Sequence, residues 1–498
     1  MTAALPPPCD ETSGRQSGRG ACPSERATLT ATVLGSSLAF VMGSIVNVAL
    51  PAMQAGFGTD AAGAQWIINA YLLPLSALVL VAGSLGDHYG RKLCFSAGLV
   101  IFTGATLAAA LAPSLPILLA ARIVQGVGAA LIAPNSLAII ADAFAGEKRG
   151  KAIGTWAAAG AVAGAAAPPL GGLLIDLASW RWAFGSVIPP ALAALIAVRR
   201  GVRESLADPG DRSALDYRGA VLATAFLAVT VYLIIALPQL GFSSAPTYGL
   251  AAASALLLAL FLHAERARGT HAMLPLRVFG STSFTGITLL TLLLYAALGG
   301  LMVLLPYALI DAGYSATGAG AALLPLPLLI ALGSRKLGGL ATRFGTPRML
   351  ALGSVIVAVG FGWFAVAAAP GMAYWTTVFP GLILIGAGMA CCVAPLTTAV
   401  MDAVEPRFAG IASGINNATS RIAGLIATAL LGFVLVGGSD TAGSGDAGES
   451  LVAGLRIAAI VAAGLAVLSA VTAQLVIRGL SVETLDDRAA SQPGDRHS

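Results

Sequence analysis

The sequence predicts an all-α integral membrane protein with fourteen transmembrane helices, and three observations support this fold class. Apolar residues make up 57% of the 498 residues and charged residues 10%, whereas a soluble domain carries roughly 25% charged residues. The mean hydropathy is +0.85. The apolar residues fall in repeated runs of about 20, the length at which a helix crosses about 30 Å of hydrocarbon. Most Lys and Arg residues lie in the tails and in alternate connections between these runs.

The apolar runs define the fourteen predicted spans. They cover residues 31–53, 65–85, 93–113, 115–141, 152–176, 183–198, 217–238, 247–263, 283–310, 318–335, 349–369, 376–401, 409–437 and 451–477. The sixth span is shortened by Pro189 and Pro190, and the ninth is long enough to end in an interfacial stretch. The polar termini, 1–27 and 478–498, predict disordered tails, because they cannot bury enough apolar surface to fold.

The distribution of basic residues orients the spans. Of the 28 Lys and Arg residues, 24 lie in the tails and the even-numbered connections. Loops rich in these residues stay on the cytoplasmic side, so we expect a multi-pass protein of the bacterial inner membrane, in contact with the lipid bilayer, with both termini in the cytoplasm. The net charge of +5 is then a topology signal and indicates no nucleic-acid partner. The five cysteines lack metal-ligand spacing, so we expect neither a metal nor another cofactor.

An internal repeat divides the chain. The sequence GSLGDHYG at 83–90 matches GGLATRFG at 338–345 in three glycine or leucine positions and one aromatic position, and each copy follows the second span of a six-span block. We therefore expect two related bundles, 28–198 and 283–477, with spans 7 and 8 inserted in a linker, 199–282. Duplicated halves that rock about a central site are how many secondary transporters achieve alternating access.

Several motifs point to one family. The loop Gly83-x-Leu85-x-Asp87-x-x-Gly90-Arg91-Lys92 joins spans 2 and 3. Further motifs are IVNVALP (45–51), QWIINAYLL (65–73), RIVQGVGAA (122–130), GAAAPPLGG (164–172) and SWRWAF (179–184). On these motifs the chain resembles the major facilitator superfamily, and within it the fourteen-span drug:proton antiporters of the multidrug-resistance type. The resemblance covers Leu29 to Ile477 and implies two six-helix bundles plus an inserted helix pair.

The loop between spans 2 and 3 is a candidate gate made of Gly83, Asp87, Gly90, Arg91 and Lys92. Glycine permits positive φ and close backbone approach in a tight turn. An acid at this place can cap backbone N–H groups or pair with a base on the opposite bundle, and the resemblance implies that it locks the outward-facing state. A loop that served only to orient the chain would explain Arg91 and Lys92 but not Asp87.

Arg122 and Gln125 in the fourth span are candidates for proton relay, a role that the resemblance implies. Arg at the centre of a span costs roughly 2.5–3.5 kcal/mol on insertion scales, so it usually faces the bundle interior with a partner or water. The alternative is that Arg122 bonds backbone carbonyls and links helices.

Span 5 carries Gly164, Pro168, Gly171 and Gly172. They leave one helix face almost without side chains, and Pro168 removes a backbone hydrogen bond, which favours a kink. The resemblance to the antiporter motif implies that this face slides against a neighbour and seals one side of the pathway. Close helix packing alone is the alternative.

The substrate cavity has nine further candidates, which are polar or amphipathic side chains within spans. They are Asn47, Gln65, Trp66, Asn69, Tyr71, Asn135, Asn416, Asn417 and Arg421. Their alternatives are an interfacial belt for Trp66 and Tyr71 and a link between helices for Arg421.

The chain lacks an obvious proton carrier. Many fourteen-span antiporters carry an Asp in span 1, and the resemblance places Met42 there. None of the 23 acidic residues lies near a span centre, although a carboxylate in a pocket is the simplest way to couple substrate exit to proton entry. Without a buried anion, neutral or anionic lipophilic solutes become credible substrates.

We therefore expect a transporter and not an enzyme. It would export small amphipathic or drug-like molecules as a monomer by rocker-switch alternation, with protons as the second partner. The alternative within transport is a facilitator or metabolite exporter without proton coupling. A membrane enzyme would need a Ser/His, paired-Asp or His/Glu constellation at depth, which this sequence does not offer. A sensor would need a signalling domain, for which the longest connection, around 199–216, is too short.

Overall fold

The computed structural model describes residues 25–206, 216–269, 272, 274–405, 409–442 and 447–475. Regular structure in these ranges is helical, which is expected because a helix satisfies its own backbone hydrogen bonds in hydrocarbon. The helices are α1 (Glu25–Phe57), α2 (Ala61–Tyr89), α3 (Arg91–Ala110), α4 (Leu115–Ala143), α5 (Gly146–Leu177), α6 (Trp180–Gly185), α7 (Ile188–Gly201), α8 (Tyr217–Leu240), α9 (Ala245–Arg268), α10 (Thr282–Asp311), α11 (Ala316–Ala322), α12 (Pro325–Phe344), α13 (Thr346–Ala367), α14 (Phe379–Asp402), α15 (Ala409–Ala442) and α16 (Ala447–Leu475). Short 3₁₀ and π turns, Leu276–Gly280 and Tyr374–Val378, precede α10 and α14.

Helices occupy all fourteen predicted spans, so the predicted fold class is confirmed. Thirteen segments of the described chain are long and apolar enough to cross a membrane, and α15 occupies the predicted thirteenth span. Two spans are broken: α6 and α7 form the sixth, and α11 and α12 form the tenth. Prolines open the second part of each, at Pro189 and Pro325, where a missing N–H disrupts no intrahelical bond. The sixth span is therefore longer than the predicted 183–198 and runs over Trp180–Gly201.

The helices pack as two six-span bundles with the same internal pattern. In the first bundle, α3 packs on α4 and α7, α2 on α4, and α1 on α5 and α7. In the second bundle, α13 packs on α14 and α16, α12 on α14, and α10 on α15 and α16. The predicted repeat is therefore visible in the packing. The sequence limits of the bundles, 28–198 and 283–477 around the linker 199–282, stay a prediction.

Paired glycines mark the same helix crossing in both bundles. A Cβ on Gly128 of α4 would lie 2.7 Å from a backbone nitrogen of α3, and a Cβ on Gly388 of α14 would lie 2.5 Å from Gly353 O on α13. The backbones thus approach where no side chain fits, which is how membrane helices gain van der Waals contact. The turns ahead of α3 and α13 match too, because Gly90 has φ 115° and Gly345 has φ 86°, a region that favours glycine.

The inserted helices α8 and α9 pack on the side of the molecule. Helix α8 lies against α2 and α15, and α9 lies against α8. Leu73 on α2, Val231 and Ile235 on α8, and Leu425 on α15 share one buried cluster. The inserted pair therefore covers one side of the boundary between the two bundles.

The two ends of the bundles differ in charge. What we call the basic end carries Arg91, Lys148 and Arg200, near the termini of α3, α5 and α7. What we call the opposite end carries Asp60 and Asp311, at the termini of α2 and α10. This asymmetry matches the distribution of Lys and Arg from which the sequence predicted the orientation.

The N-terminal helix starts earlier than predicted. Helix α1 begins at Glu25, whose carboxylate accepts a hydrogen bond from Lys148 Nζ at 3.1 Å. The predicted tail 1–27 therefore extends too far, because residues 25–27 belong to α1. Residues 1–24 and the predicted tail 478–498 lie outside the described ranges.

We expect Gly128→Val and Gly388→Val each to lower the melting temperature of the purified protein in detergent. A larger side chain at either crossing must push two backbones apart, and overpacking costs about 1–3 kcal/mol. Gly104→Val and Gly362→Val are matched controls, because a Cβ at either position meets nothing within 4 Å. If the crossing variants melt like the controls, the close backbone contacts do not stabilise the bundles.

Candidate functional site

The turn between α2 and α3 at the basic end is a single residue, Gly90. Asp87 lies in the last turn of α2, Arg91 begins α3, and Gly83 packs against α4. Arg91 Nη2 donates to Asp87 Oδ1 at 2.9 Å, and Arg91 Nη1 donates to the carboxylate of Asp142 at the end of α4. The three charged side chains therefore tie α2, α3 and α4 together within the first bundle.

The backbone of α3 is capped by Glu204 and not by Asp87. Lys92 N and Leu93 N donate to the two carboxylate oxygens of Glu204 at 2.9 and 3.0 Å. The sequence allowed Asp87 to cap these backbone N–H groups, but Glu204 does so instead. It can reach them because the chain after α7 returns to the start of α3. In the described part of the chain, Asp87 pairs with Arg91 of its own bundle. The predicted ion pair between Asp87 and a base of the opposite bundle is not formed in this part of the chain in this conformation.

Arg122 in α4 is 1% exposed and is held by a hydrogen-bond network. Its Nε donates to Ile67 O at 3.0 Å and its Nη1 to Gln125 Oε1 at 2.6 Å. The guanidinium carbon lies 4.3 Å from the Tyr71 ring centroid, a cation–π contact. Gln125 Nε2 then donates to Thr106 Oγ1 at 2.7 Å. The network links α2, α3 and α4, as the alternative role for Arg122 requires, and proton relay stays a prediction.

A cavity of about 420 Å³ lies between the two bundles, within the range of roughly 300–1,000 Å³ typical of small-molecule sites. The first bundle contributes Phe40, Ser44 and Asn47 of α1, and the second contributes Met302 of α10 and Thr428 of α15. Most lining groups are apolar, and no acidic side chain of the described chain is among them. The cavity can therefore enclose an amphipathic molecule without offering it a carboxylate.

Three predicted cavity residues lie at or beside this space. Asn47 lines the cavity, and Gln65 lines a void of about 20 Å³ next to it. Arg421 lies on the same face of α15 as Gly424 and Thr428, three and seven residues further along, and both of these line the cavity.

Trp66 and Tyr71 pack away from the cavity in this conformation. The Trp66 ring lies 6.3 Å from the ring of Tyr232 on the inserted helix α8. The Tyr71 hydroxyl donates to Ala39 O at 3.2 Å, and its ring supports Arg122. Both aromatic residues therefore join helices, a use that neither the cavity nor the interfacial-belt interpretation included.

Three asparagines make bonds between helices. Asn69 Oδ1 accepts from Thr428 Oγ1 at 2.5 Å and so connects the bundles. Asn135 Nδ2 donates to a carbonyl of α2 at 3.0 Å. Asn416 Oδ1 accepts from Thr291 Oγ1 of α10 at 2.6 Å, whereas the neighbouring Asn417 is exposed.

The glycine and proline motif of α5 contacts both bundles. Gly164 and Pro168 line the cavity. Gly171 faces Ile45 of α1, and a Cβ on Gly172 would collide with the backbone of Ala316 in α11. The smooth face predicted from sequence thus lies against the second bundle.

The bundles are joined at the opposite end by two sets of bonds that no sequence motif marked. Asp176, at the end of α5, accepts from Ala316 N at 3.1 Å, from Thr317 N at 2.8 Å and from Thr317 Oγ1 at 2.6 Å. Tyr307 of α10 donates its hydroxyl to Gln54 Oε1 of α1 at 2.7 Å. Of the second bundle's helices, α5 contacts α11 extensively and α12 only slightly, so the bundles are held together at the opposite end.

Removing this carboxylate should open the opposite end. We expect Asp176→Ala to increase labelling of a Ser44→Cys probe in the cavity by a membrane-impermeant thiol reagent added outside intact cells. The reason is that the closed arrangement loses three hydrogen bonds to one carboxylate, each worth about 0.5–1.5 kcal/mol because Asp176 is exposed to solvent. Asp311→Ala is the control, because this exposed carboxylate lies at the same end. Equal labelling in both variants would contradict a closing role for Asp176.

Two similar helix bundles joined at one end around a shared cavity define a membrane transporter of the alternating-access class. A sequence model described as Major Facilitator Superfamily matches residues 32–428 and again 287–489. The chain belongs to this superfamily, whose members move small molecules across membranes.

Curated relatives carry names that concern drug resistance and export. The chain is 34% identical over 410 residues to Multidrug resistance protein Stp of Mycobacterium tuberculosis (strain CDC 1551 / Oshkosh), an alignment that covers 82% of this chain and 75% of that protein. It is 30% identical over 410 residues to Tetracenomycin C resistance and export protein of Streptomyces glaucescens, with 82% and 75% covered.

A solved structure shows the same fold. The bacterial homologue of the human lysosomal transporter Spinster, in an inward-facing and unoccupied conformation, superposes with a TM-score of 0.66. The alignment covers 93% of this chain and 98% of that chain at 19% sequence identity. This likeness concerns the fold alone.

Proposed function

We propose that the protein exports small amphipathic or drug-like compounds from the cytoplasm, as a monomer of the bacterial inner membrane driven by the proton gradient. The observation that carries the proposal is the cavity of about 420 Å³ shared by the two bundles and lined mainly by apolar groups. The printed names of Stp and of the tetracenomycin C exporter support drug-like compounds as the substrate class.

The inferred orientation of the protein supports export. Because loops rich in Lys and Arg stay in the cytoplasm, we expect the basic end and both chain termini on that side. The bonds of Asp176 and the Gln54 side chain then close the outer face. In this arrangement the cavity takes up substrate from the cytoplasm, and release requires α5 to part from α11.

The candidate gate acts in the other half of the cycle. When the outer face opens, the basic ends of the bundles approach each other. The cluster of Asp87, Arg91 and Asp142 lies on the first bundle at this end. We expect it to meet the second bundle there and to stabilise the outward-facing state, while the smooth face of α5 slides along its neighbour.

Transport without proton coupling is the second candidate, because two observations favour it. Met42, which stands where related antiporters carry an Asp, is 0% exposed and packed in the apolar core. The described lining of the cavity also lacks an acidic side chain.

A toxicity panel tests export. We expect cells that overexpress the protein to tolerate several drug-like compounds better than cells without it. Asp87→Asn should remove this protection by disabling the gate, and Arg122→Ala should remove it by leaving Gln125 and Ile67 O without their partner. Arg200→Gln, an exposed change at the same end, is the control. Full protection by both test variants, at equal protein level, would refute their roles.

Coupling is tested in inverted vesicles that hold an imposed pH gradient. A proton antiporter should change the luminal pH when a protective compound is added, because each substrate exchanges for protons. Vesicles that carry Asp87→Asn provide the baseline. Accumulation of the compound with no change in pH would favour the uncoupled transporter.

A further inference from the structure

Arg421 is a half-buried cation without a hydrogen-bond or ion-pair partner in the described chain. Its Nε is inaccessible, and no hydrogen bond or ion pair from the described chain reaches it. Arg122, the other arginine at this depth, is saturated by Ile67 O and Gln125. A charge at the middle of a span is expensive and is usually paired, so an unpaired one marks a functional site.

Arg421 lies at the boundary between the two bundles, where α15 packs against α2. Helices α2 and α15 run antiparallel there, since Gly414 packs against Leu80 and Thr428 bonds Asn69. Arg421 is midway between these two contact points.

The facing side of α2 holds more polar atoms without partners. Asn69 Nδ2, both amide atoms of Gln65 and the Ser76 hydroxyl are buried and make no hydrogen bond in the described chain. The three side chains are 0%, 4% and 3% exposed. Buried polar groups are normally hydrogen-bonded, so this face is built for a polar group that the protein itself does not supply.

We propose that the boundary between α2 and α15 binds the acidic group of the substrate, a carboxylate or a comparable oxygen acid. Arg421 is the counter-ion of this group. The inference rests on the proposed export function and specifies its substrate class. A planar guanidinium matches two carboxylate oxygens, and the Asn69 amide and Ser76 hydroxyl supply neutral donors. The apolar part of the molecule then occupies the adjoining cavity beside Gly424.

The charge inventory around the site agrees with an anion. The described cavity lining contains no acid that would attract a cation. An anion also leaves the cell along an inside-negative membrane potential. Export of such a compound therefore needs no titratable carboxylate in the cavity.

Three dansyl compounds of similar size and different charge provide the test. They are dansylglycine, an anion; dansylglycinamide, which is neutral; and dansylcadaverine, a cation. Binding to the purified full-length protein in detergent is followed by dansyl fluorescence. We expect dansylglycine to bind about ten-fold more tightly than the amide, as a charge-assisted hydrogen bond warrants, and the cation to bind weakest.

Two substitutions test whether Arg421 causes the preference for the anion over the amide. Arg421→Gln should bind dansylglycine and its amide equally, and Arg421→Lys should keep part of the preference because the charge remains. Arg200→Gln, which removes an exposed arginine, should keep all of it. Arg421→Gln should melt no lower than the parent, since it removes a charge that has no partner in the described chain. A lower melting temperature would indicate that Arg421 links helices instead.

Results that contradict the acidic-substrate site can be distinguished from failure of the proposed export function. Equal binding of anion and amide by the parent protein, tighter binding of the cation, absence of binding, or a preference that survives in Arg421→Gln would each overturn the acidic-substrate site. Export itself is decided separately by the toxicity panel, which makes no assumption about substrate charge.

Discussion

The contact between α5 and α11 is the constraint on which the arrangement of the bundles depends. The backbones of Gly172 and Ala316 touch, as do those of Pro168 and Gly320, and Asp176 accepts hydrogen bonds beside them. Helices attract each other in lipid mainly through close van der Waals contact and hydrogen bonds, so a side chain on this face would remove most of the attraction. Together with the contact between α2 and α15, the contact between α5 and α11 holds the two bundles around the cavity.

Arg122 and Arg421 show two different uses of a charged side chain within the spans. Arg122 is surrounded by a carbonyl, an amide and an aromatic ring, and it joins three helices of one bundle. Arg421 has no such partners in the described chain and lies at the boundary between bundles. A saturated charge stabilises one packing, whereas an unsaturated charge at a moving boundary is available to a ligand.

The two bundles share their backbone packing more than their polar groups. Counted from the matched glycines Gly128 and Gly388, Leu382 stands where the first bundle has Arg122, and it is fully buried. Counted from the turn glycines, Thr346 stands where the first bundle has Arg91. Duplication therefore preserved the positions where backbones must touch, while polar networks diverged. The halves can move as similar rigid bodies and still carry different chemistry.

The sequence alone determined the spans, the repeat and the smooth face of α5. These features are local: apolar runs report burial in lipid, prolines such as Pro189 report where a helix can begin, and glycines report turns or close approach. Only the tertiary structure decided which groups meet. Glu204 caps α3 in place of Asp87, and Tyr307 bonds Gln54 across 253 positions of sequence. Such pairs arise from how whole bundles pack, and neither hydropathy nor spacing along one helix carries that information.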